Sequence, residues 1–295
     1  MNSLDYLEVA VELEPFSEEA AEILIARLSD LPYDTFMVEE PRVLAYTGAG
    51  SFDSEALEEV LGGLKYSVRK IEGSNWNSGW DSFDPFCLDC PDGTSVWIMP
   101  EGSSFKVPGR GLRLRLSAEM AFGTGRHDTT RMLLEIIASR GRFAPGRRVM
   151  DLGCGTGVLG LLCAKLGASA VTGIDIDEAA VMTARRNVRL NRLSRRMAVG
   201  CGDASSLESG AYDLILANIH RNILIDAMPL LAKALCPGGS ILLSGFYRSD
   251  VPALLEAGAR FGLRPGETMF RDSSGEGADG RGRGDAEWAV VELHF

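Results

Sequence analysis

No apolar run in these 295 residues approaches the ~18 needed for a membrane-crossing helix, so no spanning segment is expected. The opening residues, Met1-Asn2-Ser3-Leu4-Asp5-Tyr6, have neither a basic cluster nor an apolar core. That argues against a secretory leader and for a cytoplasmic protein. Cysteine is sparse, at six, and is expected as reduced thiol in that compartment. Cys87-Leu88-Asp89-Cys90 is a lone CxxC without a second pair at metal-ligand spacing, so it reads as packed or incidental and no metal is expected. Basic residues are scarce at one end. Residues 1–70 hold 15 acids and 5 bases, a balance of −10, while the remainder holds 26 and 25, a balance of −1. A nucleic-acid grip normally presents a basic face, so direct sequence-specific binding to nucleic acid is not expected. The acidic stretch suits a basic partner, or solubility alone.

What is present is the composition of a globular protein, 45% hydrophobic and 24% charged, long enough for two domains. Residues 1–72 read as strand, helix, two strands, helix, strand. Ser17 caps the first helix, Ser54 caps the second, and Glu40-Pro41 joins the middle strands. The order βαββαβ is ferredoxin-like, with two helices covering one sheet face. Residues 73–100 mix turn formers with Trp76, Trp80, Phe83 and Phe86, as in an ordered connector packed on one domain. From residue 101 onward, strands alternate with helices, which predicts an α/β domain with a parallel sheet.

The stretch Val149–Gly157 organises that second domain. A short apolar strand ends in Asp151 and enters the turn Gly153-Cys154-Gly155-Thr156-Gly157. An apolar helix follows, then a second strand ending in Asp175-Ile176-Asp177. Glycines let backbone approach a ligand, and an acid at the end of the second strand reaches ribose hydroxyls. A nucleoside is expected here. Gly155–Gly160 also fits the dinucleotide pattern GxGxxG, yet Asp151 would place a carboxylate near a pyrophosphate. S-adenosylmethionine has no phosphate and carries a sulfonium and an ammonium, so it suits the acid better than a nicotinamide does.

Three further stretches belong with it. Ala121-Phe122-Gly123-Thr124-Gly125-Arg126-His127-Asp128-Thr129-Thr130 is too rich in glycine and hydroxyls for a core element. It precedes a helix that Asp128 or Thr129 can cap, and as a functional loop it would cover the donor's methionine end. Asp203, after the third strand, can accept from an adenine amino group. The buried strand Tyr212–Ala217 delivers Asn218-Ile219-His220 at its C-terminal end, where ligands bind in open α/β sheets. The arginines of the helix Glu178–Leu190 read as a solvated face. Pro237-Gly238-Gly239 is expected to stop the helix Ile223–Leu235, and Ser273–Gly284 to form a mobile hairpin loop.

Together the motifs resemble the ribosomal protein L-eleven methyltransferases, the PrmA family, over nearly the full length. The specific string is Ala121–Thr130; Asn75-Trp76, Asp151–Gly157, Asp175-Ile176-Asp177, Ala217-Asn218-Ile219 and Leu243-Ser244-Gly245 also match. Departures are Ser117-Ala118-Glu119-Met120 before the string and His220 after Ala217-Asn218-Ile219. The resemblance implies a Rossmann-like, seven-stranded class I methyltransferase domain over 101–295, with 1–72 recognising the substrate. It implies methyl transfer from S-adenosylmethionine to lysine amines, and to an N-terminal α-amine, of a basic ribosomal protein, free or on the ribosome. Donor contacts carry over to Thr130, Gly153, Asp175 and Asn218; the residue reading adds Asp151, Gly155, Gly157 and Asp203. Asn218 would orient amine or donor, while His127 and His220 are candidate proton acceptors. Two alternatives stand beside this: a methyltransferase of a nucleic-acid base or glutamine, and a non-catalytic ribosome-assembly factor. Asn218-Ile219-His220-Arg221 lacks the prolines frequent in the first, and the intact glycine loop speaks against the second.

Overall fold

A computed structural model describes residues 6–28, 31–33, 35–71, 83–109, 111–117, 125, 127–140, 147–272 and 287–295. The chain divides into two compact units, Met1–Trp80 and Asp81–Phe295. The first contains β1 (Tyr6–Glu12), α1 (Glu18–Leu28), β2 (Thr35–Glu39), β3 (Arg42–Gly48), α2 (Ser54–Leu61) and β4 (Tyr66–Ile71). Its strands form an antiparallel sheet in the order β2-β3-β1-β4. Alternation fixes which face is covered: Val9 and Val11 of β1, with Val43 and Ala45 of β3, are buried in one core with Leu24, Leu28, Leu57 and Leu61 of the helices. The Ser17 hydroxyl accepts from the Ala20 amide at 3.1 Å, as expected of a cap. α2 starts one residue earlier than the sequence suggests, because the Asp53 carboxylate accepts from both Glu55 and Ala56.

The second unit begins with β5 (Phe86–Asp89), β6 (Ser95–Pro100) and β7 (Leu112–Leu116), paired as a small sheet. There follow α3 (Asp128–Ser139), β8 (Arg148–Leu152), α4 (Val158–Leu166), β9 (Ala170–Asp175), α5 (Glu178–Leu190), β10 (Met197–Cys201), β11 (Tyr212–Asn218), α6 (Arg221–Ala234), β12 (Leu235–Tyr247), α7 (Val251–Ala259), β13 (Arg264–Asp272) and β14 (Glu287–His294). Seven of these strands make one sheet in the order β10-β9-β8-β11-β12-β14-β13. All pairs are parallel except those made by β14. Core residues fill both faces: α3 and α4 pack on one, α6 and α7 on the other. Strands buried on both sides must be apolar throughout, and Leu214–Ala217 of β11 is fully buried. Strand order reverses between β8 and β11, so their C-terminal ends open the crevice where such sheets bind ligands.

Several expectations are corrected. The described part of the 73–100 stretch, from Phe83 on, belongs to the larger unit, since β5 and β6 pair with β7; the strand β5 was not foreseen. α6 ends at Ala234, just before Pro237-Gly238-Gly239 as the sequence suggests; those three residues lie inside β12, where the register against β11 shifts between Tyr212 and Leu214. Arg221, not Ile223, opens α6, and that helix tolerates Pro229. α3 is capped by His127 instead of Asp128 or Thr129. Cys87 and Cys90 are free thiols, and no group of three or more metal-ligating side chains occurs among the described residues. Among those residues no helix is long and apolar enough to cross a membrane. Phe122, Gly123 and Thr124, with Asn75, Trp76, Trp80 and the stretch 273–284, lie outside the described residues.

Candidate active site

At the β8–α4 turn the backbone bends back on itself. Gly153, Gly155 and Gly157 all have positive φ (67°, 52° and 79°), a region that side-chain-bearing residues rarely adopt. The amides of Gly153 and Cys154 both donate to the Ile174 carbonyl, at 2.8 and 3.0 Å. The Gly155 amide donates to Asp175 Oδ2 at 2.9 Å, while Oδ1 accepts from Asp177 N at 3.1 Å. Asp175 therefore braces the glycine turn, and its two oxygens retain lone pairs for a ligand.

The turn floors a cavity of about 340 Å³. Leu152, Gly153, Cys154 and Gly155 form its base, with Asp175, Ile176 and Asp177 at the end of β9. Gly202, Asp203 and Ala204 follow β10, Asn218 and Ile219 end β11, and Thr130 comes from the first turn of α3. Three carboxylates line it, and among the described residues no lysine or arginine does. Ile176 is 75% exposed and Ile223 52%, leaving bare apolar surface on the walls. Such a cavity repels a pyrophosphate and suits a cationic ligand with a flat apolar ring.

Thr130, Gly153, Gly155, Asp175, Asp203 and Asn218 thus meet in one place, as the sequence suggests. Asn218 donates its side-chain amide to the buried Thr130 hydroxyl at 3.0 Å, which leaves its carbonyl oxygen as acceptor. Asp203 accepts from the Ser205 hydroxyl and amide through Oδ1, and those bonds hold its pKa below the usual carboxylate range. Asp151 and Gly157 lie off the cavity wall. Asp151 is 1% exposed and accepts from the Gly160 amide at 2.8 Å, behind the glycine turn. Burial pushes its pKa up to about 7, the Gly160 bond opposes this, and the charge of Asp175 adds to it. Burial likewise raises the Cys154 thiol, so it stays protonated and is no nucleophile.

Neither histidine lines the cavity. His127 Nδ1 sits 2.8 Å from the Thr129 hydroxyl and caps α3. Partial burial of its ring lowers its pKa, against the pull of Asp128. Its ring meets Trp288 edge-on at 5.0 Å, and Trp288 stacks on Tyr247 at 4.1 Å. Tyr247 and Trp288 were not singled out from the sequence. They stand at the ends of β12 and β14, far apart in the chain, and only the strand pairing Tyr247↔Trp288 joins them. His220 is exposed at the start of α6, without a side-chain capping bond.

The family profile described as ribosomal protein L11 methyltransferase (PrmA) matches residues 33–271. The chain belongs to that family. It is accordingly an S-adenosylmethionine-dependent methyltransferase. A ribosomal protein L11 methyltransferase of Porphyromonas gingivalis is 37% identical over 285 residues, covering 92% of this chain and 96% of that one. The counterpart of Phocaeicola vulgatus is 32% identical over 272 residues, covering 88% and 93%. Among solved structures, the ribosomal protein L11 methylase of Lactobacillus delbrueckii subsp. bulgaricus is similar with a TM-score of 0.57 at 25% identity. The match covers 70% of this chain and 97% of that one.

Proposed function

We propose that this enzyme transfers methyl groups from S-adenosylmethionine to amines of ribosomal protein L11, in the cytoplasm. The targets are lysine side chains, with an N-terminal α-amine as a second class. In this reading the larger unit is a Rossmann-like class I methyltransferase domain and the smaller a ferredoxin-like recognition domain. The observation that carries it is the cavity at the switch point of the large sheet, lined among the described residues by three carboxylates and no lysine or arginine. When bound, the donor supplies an electrophilic methyl on a sulfonium.

The residues divide the remaining work. Asp175 takes the ribose hydroxyls while bracing the glycine turn, and Asp203 takes the adenine amino group. Ile176 and Ile223 cover the faces of the base. Attack needs a neutral amine aligned within ~3–3.5 Å of the methyl. Free lysine, with a pKa of ~10.4, is under ~0.1% neutral at pH 7. Desolvation beside a cationic donor lowers that pKa, so no dedicated base is required. Asn218, held by Thr130, orients the amine through its carbonyl oxygen. The acidic residues 1–70 attract the basic protein substrate.

Calorimetry tests the donor assignment. S-adenosylmethionine should bind and NAD should not. Asp175→Ala should weaken the donor about tenfold or more, since each charge-assisted hydrogen bond is worth ~1.5–3 kcal/mol. NAD binding as tightly as the donor would contradict the reading.

A further inference from the structure

Residues Ala179–Gly202 contain six arginines and not one Asp or Glu, in a chain whose net charge is −11. The fold adds to this run instead of neutralising it. Asn187 and Asn191, one turn apart on and just after α5, act as a double clasp for β7. Asn191 exchanges two bonds with the backbone of Arg115, at 2.8 and 2.6 Å. Asn187 does the same for Ser117, at 2.7 and 2.9 Å. The clasp leaves Leu114 and Leu116 buried and sets Arg113 and Arg115 exposed beside the helix.

Few of these charges have a partner. Arg186 pairs with Glu101 at 2.8 Å, Arg185 is engaged by the Val199 carbonyl and Arg196 by the Ala164 carbonyl. Arg113, Arg115, Arg189, Arg192 and Arg195 make no ion pair with a described residue. Nearby Lys165 has its pKa lowered by burial and then by the charge of Arg115, as expected where cations crowd without counter-charge.

We propose that the face made by α5, the turn after it and β7 binds the phosphate backbone of RNA, without reading sequence. Like charges kept together cost stability unless something outside the chain neutralises them. Guanidinium forks match phosphate oxygens in geometry as well as in charge. A protein partner fits worse. Every exposed position from Arg185 to Ala198 is Arg, Ser or Ala, so apart from Met182 near the start of α5 the face offers no aromatic or large apolar anchor to centre a protein interface. This surface goes beyond the methyl-transfer reading and does not depend on it, although a ribosomal substrate would bring RNA within reach.

The test is fluorescence anisotropy of the full chain with a short labelled RNA hairpin, across a salt series. Affinity should fall linearly with salt on logarithmic axes, by ~0.9 in slope for each phosphate contact. The combined changes Arg113→Gln, Arg115→Gln, Arg189→Gln and Arg195→Gln should weaken binding about tenfold or more and flatten the slope by roughly 3. A charge-matched control, Arg27→Gln, Arg42→Gln, Arg260→Gln and Arg264→Gln, should stay within about twofold of the unaltered chain, because its arginines lie outside the face. Donor affinity, measured on the same samples, should be unchanged in the first variant, which separates this surface from the methyl-donor site. Should the fourfold change impair folding, Arg189→Glu alone carries the test and should weaken RNA several-fold. No binding at low salt, an equal loss in the control, or polyglutamate competing as well as RNA would each overturn the proposal.

Discussion

Asp151 is enclosed by protein and accepts a hydrogen bond from the Gly160 amide. Its pKa rises from 3.8 to about 7, so the folded state holds a proton that the unfolded chain has already released over that interval. The stabilising contribution is therefore complete below the unfolded value and is lost as pH rises through about 7. Asp151→Asn keeps an oxygen for Gly160 and cannot ionise. The melting temperature of the unaltered enzyme should fall relative to that variant as pH rises through this interval; parallel curves would refute the assignment. Asn218 works differently. Its bond to Thr130 is one part-buried interaction worth ~1 kcal/mol, so Asn218→Ala should barely lower stability. Turnover at saturating substrates should nevertheless fall steeply, and unchanged methylation would remove Asn218 from the mechanism. Asp151, expected against the donor, lies off the cavity wall, whereas the position of Asn218 was legible because it falls at a strand end, where topology gathers ligands whatever the loops do. Tyr247, Trp288 and the clasp of Asn187 and Asn191 were not. Each depends on side chains from segments distant in sequence, and such meetings leave no local periodicity.

Between β11 and α6 the chain turns at Ile219, and two glycines hold that turn. A Cβ on Gly153 would lie 2.5 Å from Ile219 Cγ2, and one on Gly245 would lie 2.6 Å from the Ile219 carbonyl oxygen. The Ile219 amide also donates to the Ser244 carbonyl at 3.2 Å. β8 and β12 thus grip the peptide that follows Asn218 from both sides. Gly245→Ala should lower turnover more than donor affinity, because it displaces backbone next to the proposed orienting residue. Ile219→Ala should partly relieve Gly153→Ala, whose clash is with a side chain, and should not relieve Gly245→Ala, whose clash is with backbone. A double-mutant cycle reads this directly; equal relief at both positions would sink the explanation. At this scale the sequence was a good guide to which elements exist and a poor one to where they end. The cap of α2 moved to Asp53 and that of α3 to His127, since several neighbouring residues can cap and tertiary fit selects among them. Pro237-Gly238-Gly239 follows the end of α6 as expected, and it also forms an irregularity in β12, because a strand held between β11 and β14 can absorb extra residues as a bulge.

At the scale of the whole molecule, charge is unevenly spread. Residues 1–70 carry −10 and the rest −1, and the proposed roles of the two units rest on that split. Deleting the first unit should leave donor affinity nearly intact and largely abolish methylation of the protein substrate. With the full chain, apparent substrate affinity should fall as salt rises, since exposed charges are screened over ~8–10 Å. A truncated enzyme as efficient as the full chain would reduce the acidic unit to a solubility device. The central claim remains that the acid-lined cavity delivers methyl groups to amines of a ribosomal protein. Its most direct test is to incubate purified ribosomal protein L11 with the enzyme and S-adenosylmethionine, and to follow intact and peptide mass. The account predicts added mass in whole methyl units, located on lysines or the N-terminal amine, and absent with Asn218→Ala. Unmodified L11 in the presence of enzyme that binds the donor, or methyl groups on residues without an amine, would contradict it.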